Sequence, residues 1–115
     1  TIQRLAINSL PIYASSVNAF VVVAPTVPHF NQQGRVCDVE SYRRRAWCRA
    51  EVLSHILRCG TSMVYVATER DINPVSDTSA VVEDAMRVFF GDLTCCALNH
   101  KGMEKCDKEQ LILPL

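Results

Sequence analysis

The order of elements in this chain predicts an α/β fold built on a parallel sheet. Three observations carry the prediction. Two continuous β-branched runs, AFVVVAP at 19–25 and SMVYVAT at 62–68, have the length and composition of strands buried on both faces. A strong helical pattern, YRRRAWCRAEVLSHILRCG at 42–60, lies between them. A shorter helical pattern precedes the first run. Helices alternating with buried strands imply a parallel sheet with helices on both faces. The chain has 115 residues, 49% of them apolar, enough for one modest domain with a single core.

The elements follow in order. Residues 5–17 read as a short helix, with Asn8 or Ser9 as cap and Pro11 in the first turn. After the first strand comes PTVPHFNQQGRVCDVES, a long loop rich in Pro, Gly, Asn and Gln. Loops of that length in compact domains are often functional. Asp38 or Ser41 starts the helix over 42–60, and Gly60 suits the left-handed position after its end. Residues 69–79 form a loop with an Asn-Pro turn. AVVEDAMRVFF, 80–90, fits helix or strand equally. GDLTCCAL, 91–98, opens with a turn and continues as a strand, and NHKGMEKC is loop. Asp107 caps a last helix that begins DKEQ, with Gln110 at the capping-box position. The chain starts at Thr1 and ends in the apolar run LILPL, which predicts a piece of a longer protein.

Charge and cysteine content narrow the setting. Twelve basic residues balance twelve acidic ones, so nothing pulls the chain toward nucleic acid or membrane. No apolar run is long enough to span a bilayer. There is no signal peptide pattern and no Asn-x-Ser/Thr acceptor. Several of the six cysteines fall on helix-patterned or core positions, which predicts a reducing, cytoplasmic setting.

The helix over 42–60 holds the densest chemistry. On a helical projection Ala46, Ala50, Leu53 and Leu57 form one apolar side, with Cys48, Val52 and Ile56 adjoining. The remaining stripe carries Arg44, Trp47, Glu51, His55 and Arg58. Arginines at a helix start oppose the macrodipole, so local helix stability does not explain Arg43, Arg44 and Arg45. A carboxylate beside an indole at a sheet's rim is partly desolvated, which raises its pKa and suits proton handling or a sugar hydroxyl. On a solvated face, Glu51 and His55 would be an ordinary i,i+4 pair.

Trp47-Cys48-Arg49-Ala50-Glu51 resembles the W-C-x-x-E motif of TIR (Toll/interleukin-1 receptor-like) domains. The likeness is to the divergent algal and protist type, which carries R-x-W-C-R-x-E. VVVAPTVP resembles the strand and loop that precede the motif helix, and MVYVATERDINP the strand and acidic turn that follow. The resemblance spans about residues 5–75. It implies a flavodoxin-like parallel sheet flanked by helices. Many family members cleave NAD+ between nicotinamide and ribose, and the motif glutamate is essential there. Carried over by position, the catalytic residue is Glu51, NAD+ is a substrate rather than a tightly bound cofactor, and Trp47, Arg44, His55 and His29 are the candidate binding residues. Arg43 or Arg44 would meet the phosphates, and Trp47 and Cys48 would also fix the helix by packing. The resemblance equally implies a non-catalytic signalling module that self-associates by homotypic TIR–TIR contact. Two departures stand out. The family's first strand, first helix and second strand would lie before Thr1, so residues 1–115 correspond to a single partial domain, expected to be inactive alone. The serine usual two residues before the tryptophan is Arg45.

A second constellation lies downstream. Cys95, Cys96, His100 and Cys106 fall within twelve residues and are zinc-ligand types. They suggest a small zinc-binding domain as a further alternative. Against it, the C-x2-C knuckle is missing, and adjacent cysteines on a strand point to opposite faces. His29, in the loop after the first strand, is placed where parallel sheets bind ligands. No Gly-rich phosphate loop or Ser-His-Asp order is present.

Overall fold

The structure, a computed structural model, describes residues 1–91, 93–102 and 105–112. The glycine-turn reading at Asp92, the loop reading at Met103 and Glu104, and the apolar end at 113–115 lie outside these residues. Helix α1 runs Ile2–Ser16 and starts earlier than the sequence pattern indicates. Its cap is Thr1, whose Oγ1 accepts from the Arg4 N–H at 3.3 Å, not Asn8 or Ser9. Pro11 therefore lies inside the helix, where it removes one backbone donor. Packing against α3 holds the helix across that gap, with Ala14 buried in the contact.

Strand β1, Phe20–Val23, pairs in parallel with β4, Val64–Ala67, in the register Phe20↔Val64 to Val23↔Ala67. This is the parallel pair that the two apolar runs predict. The third strand differs. β5, Ile72–Pro74, falls in the expected loop and returns antiparallel to β4, giving the order β1-β4-β5. The sheet is mixed, not purely parallel, because only four residues separate β4 from β5 and a parallel crossover needs a dozen or more. Pro74, which cannot donate to a ladder, sits on an edge strand as expected.

The expectation of burial on both faces also fails at β1. Val22 is 1% exposed, but Val21 and Val23 are 47% and 71% exposed. The strand alternates in the manner of a sheet covered on one side. On the covered side, Val22 and Ala24 pack with Val52 of α3 and with Val81 and Ala85 of α4.

The long loop has structure of its own. β2 (Val27–Pro28) and β3 (Val36–Cys37) form a short antiparallel ribbon that turns back through Gly34, at φ 78°. The expected single helix over 42–60 is in fact two. α2, Val39–Arg43, begins with a complete capping box, in which Asp38 accepts from Ser41 N–H and the Ser41 hydroxyl accepts from Asp38 N–H. Arg44 and Arg45 break the chain, and α3 runs Ala46–Cys59. Gly60, at φ 72°, ends it as expected.

The break answers the charge problem for Arg43, while Arg45 still stands at the N-cap of α3. Arg43 lies in the last turn of α2, where a cation suits the macrodipole. It is held by Asp84 at 2.7 Å and Glu40 at 2.9 Å. Arg49 is 7% exposed. Its Nε donates to the Arg43 carbonyl at 2.6 Å, and Nη1 donates to the Phe90 and Arg87 carbonyls at 2.7 and 3.3 Å. One buried guanidinium thus satisfies carbonyls from two chain segments.

Residues 80–90 resolve as helix α4, Ala80–Ala85, followed by turns. Residues 94–97, expected as strand, form the one-turn helix α5, Thr94–Ala97. The last helix, α6, is Asp107–Gln110; Cys106, not Asp107, is its N-cap, and the Gln110 amide donates instead to the Lys105 carbonyl. A second cluster gathers Ala46 and Ala50 of α3 with Val88, Leu93, Cys95 and Leu111. α3 is therefore shared between two cores, which is why its apolar arc is wide. Leu57, expected on that arc, is exposed.

Candidate functional site

A crevice of about 710 Å³ opens at the carboxyl end of β1. The β2–β3 ribbon brings His29 and Arg35 to it, α2 brings Tyr42, and the break before α3 brings Arg44 and Arg45. Thr94 of α5 closes another side, and its N–H donates to the Arg44 carbonyl at 2.9 Å. Two acids, Asp38 and Glu40, also lie on the wall. Asp38 is engaged in the capping box and Glu40 in the ion pair with Arg43. Arg35, Arg44 and Arg45 have no carboxylate partner among the described residues. Arg35 donates to the Gln32 amide oxygen and the Arg45 charge acts on Glu51, so the crevice offers an anion cationic groups that carry no salt bridge among the described residues. Its loop is tied to the connection between β4 and β5: the Thr26 N–H donates to Glu69 at 2.9 Å, which lowers the pKa of that carboxyl.

The five residues expected to act together on NAD+ separate. His29 and Arg44 line the crevice. Trp47 lines a different cavity, of about 680 Å³, between the start of α1 and α6, and its Nε1 donates to Asp107 at 3.2 Å. His55 is fully buried, with Nδ1 3.0 Å from the Ala14 carbonyl and its ring 5.5 Å from that of Phe20. It anchors α1 to α3 in the core and reaches neither cavity. Glu51 is half-buried on α3 and lines neither cavity.

Glu51 nevertheless has the perturbed carboxyl that its setting predicts. Burial raises its pKa, and the positive charge of Arg45 offsets part of the rise. The same pocket of low polarity pushes the Cys48 thiol up to about 11, again chiefly by burial. It also raises the Tyr42 phenol, through burial first and then the neighbouring Cys48 and Glu51 charges. The Tyr42 hydroxyl makes a long contact, 3.5 Å, to the Cys48 carbonyl. Tyr42 thus lines the crevice and feels the Glu51 charge, while Glu51 itself does not line it.

Arg35 and Tyr42 are crevice residues that the sequence pattern does not single out, and Arg45 stands out there only as an unexplained arginine. Tyr42 was masked by the single-helix reading. Arg35 follows Gly34 of the turn, a position at which a loop can redirect a side chain, but no spacing rule marks it.

The thiol cluster comes together more closely than its spacing suggests. The sulfurs of Cys95 and Cys96 are 3.9 Å apart, those of Cys95 and Cys106 3.9 Å, and those of Cys96 and Cys106 4.0 Å. With the His100 imidazole, all four ligand atoms lie within 4.8 Å of one another. Because residues 95 and 96 lie on a helix, their side chains diverge by about 100° rather than 180°, and the objection raised for a strand lapses.

No protein-family model matches this chain, and no curated protein or solved structure matches it either. Among the described residues, no helix is long and apolar enough to cross a membrane.

Proposed function

We propose that the chain is a TIR-like ligand-binding module whose crevice takes a small phosphate-bearing molecule of the dinucleotide class, such as NAD+. One observation carries the reading: three arginines without a salt bridge among the described residues, and a histidine, surround a crevice at the carboxyl end of a parallel strand. That position is where open α/β sheets bind ligands. The W-C-x-x-E motif on the following helix supports the TIR-like and flavodoxin-like parts of the reading. Cleavage of NAD+ is the catalytic form of the proposal. In it, Arg44 and Arg45 hold the phosphates. Glu51, near Tyr42, stabilises the positive charge that develops on the ribose as nicotinamide leaves. That role requires a local movement that opens the crevice to Glu51.

Calorimetric titration with NAD+ and with inorganic pyrophosphate tests the binding. Saturable binding of both, lost in the double variant Arg44→Ala/Arg45→Ala and kept in Glu51→Gln, is the expected result. Equal affinity in the double variant removes the crevice from the account. Loss of NAD+ turnover in Glu51→Gln, with binding intact, supports the catalytic form.

A homotypic interaction module is the second reading. It is favoured by the edge strand β1, which has one side unpaired among the described residues and exposes the apolar Val21 and Val23, a surface that a second copy of the chain could cover. Sedimentation that shifts with concentration, and ceases to do so in Val23→Lys, would support it. A concentration-independent monomer would end it.

A further inference from the structure

We infer that Cys95, Cys96, His100 and Cys106 form a structural site for one Zn²⁺, which fixes α5 and α6 onto α3. Four tetrahedral ligands at a zinc–sulfur distance of about 2.3 Å place sulfurs about 3.8 Å apart. The three sulfur pairs here stand at 3.9, 3.9 and 4.0 Å. They are too far apart for disulfides, whose sulfurs lie about 2.05 Å apart. They also form a triangle rather than a chain, so a single central ion can touch all three.

The fourth corner is supplied by an independent feature. His100 Nε2 is shielded from solvent and has no hydrogen-bond partner among the described residues. A buried ring nitrogen left without a partner is costly unless something unseen occupies its lone pair. The backbone is bent to bring it there. Asn99 and His100 are both left-handed, at φ 53° and 54°, and the His100 N–H donates to the Cys95 carbonyl at 2.9 Å. Two consecutive non-glycine residues in that region are strained, and such strain persists where surrounding contacts over-determine it. Here the turn folds the imidazole back over the thiols.

The ligand set selects the metal. Three thiolates and an imidazole in a closed tetrahedron are a structural zinc set, with no open position for water or substrate. Three thiolates and one dication leave a local charge of minus one, which Lys101 and Lys105 in the same segment offset.

The location explains what the ion would do. α5 and α6 have four residues each, too short to be stable as isolated helices. Yet Cys106 caps α6, Cys95 belongs to the core beside Ala46 and Ala50, and Leu111 is fully buried in that core. Tying α5 to α6 through one ion supplies the order that two single turns lack.

The test uses the whole chain, purified under reducing conditions without added metal. Elemental analysis is expected to give about one zinc per chain. Replacement by Co²⁺ is expected to give the intense visible bands of a four-coordinate, thiolate-rich ion. His100→Ala and Cys106→Ala are expected to weaken metal affinity by more than about 100-fold in competition with a chelator. Cys59→Ala, which alters an exposed thiol on α3, retains it. A zinc ratio near zero with no cobalt bands overturns the proposal. So does stoichiometric iron or copper in place of zinc, or unchanged affinity in both cluster variants. Should the variants fail to fold, the cobalt spectrum of the unaltered chain still decides.

Discussion

Arg49 shows how a single side chain can hold a fold that the sequence pattern places on a solvated or apolar face. Its guanidinium closes carbonyls of Arg43, Arg87 and Phe90, so it joins the end of α2 to the turns after α4. Removing it takes the guanidinium donor from the Arg43 and Phe90 carbonyls, while the Arg87 carbonyl keeps the Phe90 N–H at 2.9 Å. Arg49→Ala should cost about 3–5 kcal/mol, read as a large drop in urea midpoint. Arg49→Lys should recover little of it, because a point charge cannot span three carbonyls. A midpoint unchanged by either substitution would mean that the contacts are incidental.

Glu51 gives the opposite kind of prediction. Its carboxyl holds its proton to higher pH in the folded chain than in the unfolded one, because burial disfavours the charge. Its effect on stability is therefore most favourable below the unfolded pKa and declines as pH rises through the folded one. Glu51→Gln should raise Tm at neutral pH by a few degrees at most, and the gain should vanish below about pH 4. A loss of stability at neutral pH would show that the charged form is the one the fold favours.

At the scale of elements, legibility followed the strength of the local signal. The two β-branched runs and the helix between them were readable, because four consecutive apolar residues flanked by turn formers have few other uses. The capping residues Asp38 and Ser41 were both readable too, but not their pairing. They close a short helix of their own, and a box that ends after five residues leaves the arginines that follow in a break. Asp38→Ala should therefore cost about 1 kcal/mol and loosen the crevice wall, seen as faster amide exchange over residues 39–43. Undisturbed exchange would detach the cap from the wall. β5 was not readable, since Ile-Asn-Pro lacks a strand pattern and is held by pairing with β4. Nor was α5: adjacent cysteines have no helical preference, and tertiary contact decides the conformation. The thiol cluster was legible as composition but not as geometry, because its convergence depends on that helix and on two left-handed residues.

The whole molecule has a thin architecture. Among the described residues, a three-stranded sheet with one side of β1 open, a two-stranded ribbon and two small cores that share α3 leave little apolar burial. The end of the chain supplies much of the second core, yet it is organised by two single turns. The same segment walls the crevice through Thr94 and touches Trp47 through Asp107. Order in the thiol–imidazole cluster, in the second core and at the mouth of the crevice should therefore rise and fall together. Trp47 is the only tryptophan and reports on that junction directly. The decisive measurement is thermal unfolding of the reduced chain, followed by Trp47 fluorescence, with one equivalent of Zn²⁺ and then with excess chelator. Chelation should lower the midpoint by more than about 10 °C and shift the Trp47 emission to the red before heating begins. Superimposable curves and an unchanged emission would contradict the account.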